Sequence, residues 1–235
     1  GSFGKTSVKE FIAQILSQEY KTIKTTASQN SAIGIAEVVL AKLEKDTQIF
    51  VAEMGAYKRG EIAKMAVMVK PDIGIITSIN AQHQDLFLSL DTTMAAKYEL
   101  IENLPKQGIA IFNLDNFYTQ KLAYKAYREG RMVWGYTTDK KKAIPEWIAK
   151  SIKAENIKTD VDQIFFTVRF DSEKFPVTAK VLSYHQVGNI LAAILASLAA
   201  GLTHPQIKKF LQKPLTLTHN MQLISHKTGA VLIND

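Results

Sequence analysis

The sequence predicts an α/β fold: a mostly parallel sheet with helices on both faces, plus a small antiparallel sheet. Three observations predict it. From residue 22 to residue 135, short apolar runs alternate with segments of helical spacing, the pattern of a parallel sheet covered by helices. From Thr137 the texture changes to alternating strands that suit antiparallel pairing. At the front, Gly1-Ser2-Phe3-Gly4-Lys5-Thr6-Ser7 opens directly onto an amphipathic helix.

In that first helix, over 6–16, Phe11, Ile12, Ile15 and Leu16 share one face. A short strand is expected over 22–26. The polar turn Ala27-Ser28-Gln29-Asn30 leads to a second helix over 31–45, with Ile33, Ile35, Val38, Val39 and Leu43 as its apolar face. The run 47–54 is a compact apolar strand that ends in a carboxylate, Glu53, and then Gly55. Gly60-Glu61-Ile62 opens a third helix, closed near Lys70-Pro71. Residues 72–79 form a further apolar strand that feeds the loop Asn80 to Phe87. A helix follows over 92–104 and carries Lys97 and Glu99; the next strand, 108–113, ends in Asn113-Leu114-Asp115-Asn116. Helix Phe117–Arg128 and strand 131–135 complete the alternation. Beyond it, 152–157, 163–170 and 175–181 read as antiparallel strands, with Asp171-Ser172-Glu173-Lys174 as a hairpin turn. Helices are expected over 186–202 and 204–212, and 223–225 with 230–233 as a closing hairpin.

At 235 residues and 46% hydrophobic content, the chain can bury one large core or two small ones. Its longest apolar stretch, around Ile190 to Leu202, is Ala-rich and too short to span a bilayer, so no membrane role is expected. With no cysteine, disulfides and Cys–metal sites are excluded; this fits a cytoplasmic enzyme. The net charge of +7 comes from scattered lysines, with one short cluster at Lys140-Lys141-Lys142. Nucleic-acid binders concentrate such charge on one face among aromatics, so no nucleic-acid partner is expected, and an anionic small substrate accounts for the balance. The sequence opens with neither an initiator methionine nor a signal peptide, as expected of a piece of a longer chain.

The chemistry starts at the front. Glycines at both bends of 1–7 let backbone N–H groups approach one anion, and the helix start points further N–H groups and a positive dipole end at it. Lys5 would reach the β/γ-phosphates of a nucleotide, and the Thr6 hydroxyl would hold Mg²⁺. The stretch reads as the second half of a Walker A loop, which makes the predicted sheet P-loop NTPase-like. A glycine-rich disordered terminus is the plain alternative. A parallel strand that ends in Glu53 suits the metal-binding carboxylate beside such a loop; the alternative is a strand-end carboxylate facing solvent. Glu53, His83 and Asn113 all lie at or just past predicted strand ends, where ligands of parallel sheets bind.

The order of these signals resembles the central ATP-binding domain of the Mur ligase family, and within it the branch that joins D-Ala-D-Ala to UDP-MurNAc-tripeptide. Six stretches carry the resemblance: Gly1 to Ser7; Asn30-Ser31-Ala32-Ile33-Gly34; Glu53-Met54-Gly55-Ala56 with Gly60-Glu61-Ile62; His83-Gln84-Asp85 with Phe87, Ser89 and Leu90; Ala96-Lys97-Tyr98-Glu99; and the pair Asn113-Leu114-Asp115-Asn116 and His185-Gln186-Val187-Gly188-Asn189. Together they cover essentially the whole chain. The resemblance implies an ATP-dependent, ADP-forming amide ligase that works through an acyl phosphate. Gly1, Ser2, Gly4, Lys5, Thr6 and Ser7 would bind ATP, with Asn113 and Asn189 on the adenosine side. Asn30 and Ser31 would bind substrate. Thr6, Glu53 and His83 would ligate Mg²⁺, joined by Lys97 if it is carbamylated; Lys5, Lys97 and His83 would be catalytic. By themselves, Lys97 reads as a solvated helix lysine and His83 as a loop histidine capping something local.

Some residues depart from the family pattern. Ser78 stands where Asn is usual, Asn80 replaces a usual Gly, Gln186 replaces Asn, and His219-Asn220-Met221 replaces Gly-Arg-Met. These changes bear on the branch and the amino-substrate more than on the ATP chemistry. The resemblance also implies a parent enzyme of three domains, a monomer whose UDP-sugar domain and C-terminal domain lie outside 1–235. The strand leading into the phosphate loop would precede Gly1. Other amide ligases of the superfamily (a tripeptide-forming Mur ligase, a folylpolyglutamate synthase, a cyanophycin-synthetase-like enzyme) and a non-catalytic nucleotide-binding module remain alternatives.

Overall fold

The structure is a computed structural model that describes residues 4–26, 29–56, 58–80, 89–181, 183–217, 222–225 and 231–234. The chain runs α1 (Lys5–Leu16), β1 (Thr22–Lys24), α2 (Ala32–Lys42), β2 (Ile49–Val51), α3 (Glu61–Val69), β3 (Ile73–Ile76), α4 (Leu90–Glu102), β4 (Ile109–Asn113), α5 (Phe117–Arg128) and β5 (Met132–Thr137). Then come β6 (Lys150–Thr159), β7 (Ile164–Phe170), β8 (Glu173–Lys180), α6 (Gln186–Ala199), α7 (His204–Phe210), β9 (Leu215–Thr216), β10 (Gln222–Ser225) and β11 (Val231–Asn234). The α/β class and its alternation stand as expected.

Seven strands form one sheet in the order β3-β4-β5-β6-β7-β8-β9. Its first four are parallel; β6 is the hinge of the pattern, parallel to β5 and antiparallel to β7. The three strands of antiparallel texture therefore extend the parallel sheet instead of forming their own. The separate antiparallel sheet is the terminal pair β10–β11. Strand β9 was not expected: two residues carry no period, and its pairing is completed by a side chain. Gln14 of α1 donates to Thr216 O at 2.6 Å and accepts from Thr216 N at 3.2 Å, copying a strand edge.

Helices α1 and α6 cover one face of the sheet. Phe11 and Ile15 meet Ile190, Leu191 and Ile194 over Ile152, Val168 and Val177, all essentially buried. Helices α4 and α5 cover the opposite face, with Tyr98, Ile101, Leu122 and Ala126 against Phe112 and Val133. The α6 helix stops at Ala199, short of the expected Leu202. Gly201 takes φ +100°, Leu202 N bonds Ser197 O and Gly201 N bonds Leu198 O, a Schellman stop that only glycine adopts without strain. On α2, Ile35 and Val38 are buried as expected, but Ile33 is 76% exposed.

Strands β1 and β2 pair parallel as a separate two-stranded sheet. Neither β2 nor β3 has a partner on its remaining edge among the described residues. Between them lies a cleft of about 330 Å³, lined by Ile49, Val51, Ile73 and Ile75, with Val8 and Ile12 of α1. Lys5, Glu53, Thr77, Ser78 and Lys97 line the same cleft, and these residues of distant sequence position form the candidate site.

Candidate active site

Gly4 is the N-cap of α1, with φ +87° in the left-handed region. The left-handed φ favours glycine, and a Cβ there would also displace the Asn189 side chain, whose Oδ1 lies 2.3 Å from that position. No side chain caps α1 and its first turn holds no acidic residue. A helix start carries leading N–H groups and a positive dipole end, chemistry that suits an anion.

Thr6 sits in the first turn of α1 and donates its hydroxyl to Glu53 Oε1 at 3.1 Å. Glu53 follows β2 and is 5% exposed, so the strand-end carboxylate does not face solvent. The parallel pair β1–β2 fixes it there. Thr25, just past β1, donates its N–H to Val51 O and accepts the Glu53 N–H on its hydroxyl at 3.0 Å. The second carboxylate oxygen, Oε2, is buried and makes no hydrogen bond among the described residues. Burial pushes the Lys5 ammonium pKa down, an effect partly offset by the negative charge of Glu53. Ser7 is buried behind the loop.

Lys97 is half-buried on α4 and lines the same cleft as Lys5. Burial and, second, the nearby charge of Lys5 lower its pKa to about 8. It is not the solvated helix lysine that its sequence context allows. Glu99 fixes the helix that carries it. Its carboxylate accepts from Gly60 N at 2.7 Å and Ala63 N at 3.1 Å, capping α3, whose own N-cap Gly60 has no side chain to offer.

Asn30 lies against the end of β2: its carbonyl accepts from Gly55 N at 2.7 Å. The Ser31 hydroxyl accepts from Gly34 N and serves as the N-cap of α2. Asn189 packs over Gly4 and donates to Gln186 Oε1 at 2.8 Å, so Gln186 orients the side chain that touches the loop. Asn113 ends β4, and its side chain accepts from Asp115 N at 2.8 Å inside its own turn. Asp115 in turn holds Thr137 at the end of β5 and Thr138 just past it. The structure thus joins Gly4 to Asn189 and Thr6 to Glu53, and sets Lys5 and Lys97 in the same cleft as Glu53. Asn113 is held in a neighbouring turn. Gly1, Ser2 and His83 lie outside the described residues, as do His219 and Asn220.

Sequence reasoning missed Thr25, Lys9, Gln186 and Asp115. Lys9 carried a signal, since it stands one helical turn after Lys5 on the same face. Gln186 and Asp115 stand in quoted motifs that do not disclose their holding roles; Thr25 shows only once β1 is seen to pair with β2. The donor set fits a magnesium nucleotide: a glycine cradle for phosphate, a hydroxyl, and a buried carboxylate oxygen with no hydrogen bond. Among the described residues no group of three or more His, Cys, Asp or Glu gathers.

Residues 1–197 match the family model described as Mur ligase middle domain. A relative from Escherichia coli (strain K12), UDP-N-acetylmuramoyl-tripeptide–D-alanyl-D-alanine ligase, is 31% identical over 98% of this chain and 51% of its own. The enzyme of the same name from Bacillus subtilis (strain 168) is 28% identical over 100% of this chain and 48% of its own. The crystal structure of MurF from Acinetobacter baumannii superposes with a TM-score of 0.86 at 25% identity, over 99% of this chain and 48% of that one. The chain spans about half the length of the curated relatives it matches. On the family match, the relatives and the fold, this chain belongs to the Mur ligase middle-domain family.

Proposed function

We propose that the protein carrying this chain is an ATP-dependent, ADP-forming ligase that joins D-Ala-D-Ala to UDP-MurNAc-tripeptide. The observation that carries the reading is the Thr6–Glu53 contact at the open start of α1. A hydroxyl and a buried carboxylate together at a helix start support a phosphate and metal site there, in a family whose whole-chain relatives bear that enzyme name. In this reading the γ-phosphoryl of ATP passes to the substrate carboxylate, giving an acyl phosphate and ADP. The amine of D-Ala-D-Ala attacks the acyl carbon. The tetrahedral intermediate collapses to the amide and releases phosphate.

The chain's own residues position and neutralise. Backbone N–H groups from Gly4 onward would hold the phosphates, and Lys5 would balance charge on the transferred group. Thr6 and Glu53 would hold Mg²⁺, which supplies charge neutralisation on the phosphates. Asn189 would border the adenosine side, with Asn113 in the turn beyond it, and Asn30 the substrate side. His83 belongs to this proposal from sequence alone.

Lys97 is proposed as the carbamylated lysine. Addition of CO₂ needs a neutral amine. With a pKa of about 8, roughly a tenth of Lys97 is neutral at pH 7, against roughly one in 3,000 for an ordinary lysine. Once formed, the carbamate would be an anionic oxygen donor that suits Mg²⁺.

A UDP-sugar domain and a C-terminal domain complete the proposed enzyme, a cytoplasmic monomer. No helix among the described residues is long and apolar enough to cross a membrane. A strand preceding Gly1 would fill the apolar part of the cleft between β2 and β3 and leave the end lined by Lys5, Glu53 and Lys97; the edges of β2 and β3, open among the described residues, support it.

The test is phosphate release by the full-length protein with UDP-MurNAc-tripeptide, ATP and Mg²⁺, with D-Ala-D-Ala added or withheld. Release that depends on the dipeptide is expected. Release with a single amino acid but not the dipeptide would move the protein to a sister ligase. No release with any acceptor would overturn the ligase reading.

A further inference from the structure

Lys9 has no place in the chemistry so far, yet it is among the most buried charges of the molecule. Its side chain is 2% exposed, and its ammonium makes no hydrogen bond among the described residues. It stands 3.4 Å from Glu10 Oε1 and 3.6 Å from Glu53 Oε2. Glu10 is also paired with Lys24 of β1, so its charge is met without Lys9. Glu53 is different. Thr6 donates to its Oε1, whereas its Oε2 has no hydrogen bond among the described residues, and the Lys9 ammonium lies beside it. Two buried ionic atoms, neither hydrogen-bonded among the described residues, thus face each other at 3.6 Å, and the closer neighbour of Lys9, Glu10, already has Lys24 as a partner.

A buried lysine is costly to keep, because desolvation of an ion is repaid only by good pairing. A purely structural bridge would close into a hydrogen bond. This one instead leaves a carboxylate oxygen without a hydrogen bond in the wall of the phosphate cleft. We propose that Lys9 is a positioning residue for Glu53, a fixed buried counter-charge that keeps the carboxylate turned toward Thr6 and the phosphate site before any divalent cation arrives. The inference rests on the nucleotide reading given above, and it concerns how the carboxylate is held, not the reaction itself. Its position follows from the helix: four residues after Lys5, Lys9 lies one turn deeper on the same face of α1. The loop lysine and the positioning lysine are therefore aligned by one element.

The test uses the full-length protein and reads ATP affinity by calorimetry with Mg²⁺ and with EDTA, plus thermal unfolding of the metal-free protein. Removal of a group that orients a metal ligand typically weakens metal binding by about 10–100-fold. In Lys9→Met the gain in ATP affinity that Mg²⁺ confers should fall by about tenfold or more, with the EDTA value within about twofold of wild type. Lys9→Arg, which keeps the charge, should recover most of the gain. Metal-free Lys9→Met should unfold at a lower temperature, and Lys9→Met/Glu53→Gln, which removes both buried charges, should unfold above it.

If Lys9→Met does not fold, the double variant decides. A residue acting through Glu53 costs nothing further once Glu53 is neutral, so the double variant should bind Mg²⁺–ATP as Glu53→Gln does. A further loss overturns the inference, as does a Lys9→Met protein that keeps the full Mg²⁺ gain or loses affinity equally in EDTA. A wild-type protein that binds no nucleotide overturns the reading beneath it as well.

Discussion

Gly4, Glu53 and Lys97 show three ways in which a single residue is constrained by its surroundings. Gly4 combines a left-handed φ with contact against Asn189, so Gly4→Ala should lose nucleotide binding and about 1–3 kcal/mol of stability, read by calorimetry and urea titration. Thr25 is buried and holds the Glu53 N–H; Thr25→Val leaves that donor unpaired and should cost about 1–3 kcal/mol. Lys97 carries a pH signature. Its pKa in the fold, about 8, lies below the unfolded value, so the folded chain loses this proton first. The penalty of burying the charged amine is in full force below pH 8 and is relieved as pH rises from about 8 toward about 10.4. The urea midpoint of the wild type should therefore rise over that window relative to Lys97→Met, which titrates nothing there. At this scale the sequence was informative wherever chemistry is local: Lys5, Thr6 and Glu53 were legible from a loop and a strand end. The pairings that fix them were not, because Thr25 and Lys9 reach Glu53 only across a parallel pair and a helix face.

Among the elements, α4 is held by a tertiary cap. Glu99 spends both carboxylate oxygens on the start of α3, which joins the helix of Lys97 to its neighbour. Glu99→Gln loses one of the two charge-assisted bonds and should destabilise by about 1.5–3 kcal/mol in urea unfolding. Most elements were readable from pattern, α1 and α5 by helical spacing and β4 and β5 as short runs buried through their middle. Two readings shifted for physical reasons. The α6 pattern continues to Leu202, but Gly201 turns the chain in the left-handed region and Leu202 is buried as the hydrophobic contact of the stop. On α2, Ile33 falls outside the narrow face that meets α3, so its apolar character did not translate into burial.

Across the whole molecule, one core ties the phosphate loop to the large sheet. Phe11 of α1 is fully buried among α6 and the strands, so Phe11→Ala should cost about 3–5 kcal/mol. The sheet was legible as a class but not as a single object: texture alone could not reveal that β6 pairs parallel on one edge and antiparallel on the other. Nor does any run of residues announce the cleft between β2 and β3, which exists only in the order of strands. If a strand before Gly1 fills it, hydrogen exchange at Ile49–Val51 and Ile73–Ile76 should be slower in the full-length protein than in the 235-residue chain. Equal exchange in both would leave those edges open and contradict that placement.

The central claim is that this chain supplies the ATP site of an amide ligase. Its most direct test is the mass-resolved yield of the joined UDP-MurNAc-peptide. The full-length protein is supplied with UDP-MurNAc-tripeptide, D-Ala-D-Ala, ATP and Mg²⁺, with wild type run against Lys5→Ala. The account predicts one ADP per joined product, and a yield in Lys5→Ala reduced by about a hundredfold or more. No joined product from the wild type, or a yield that Lys5→Ala leaves unchanged, would contradict it.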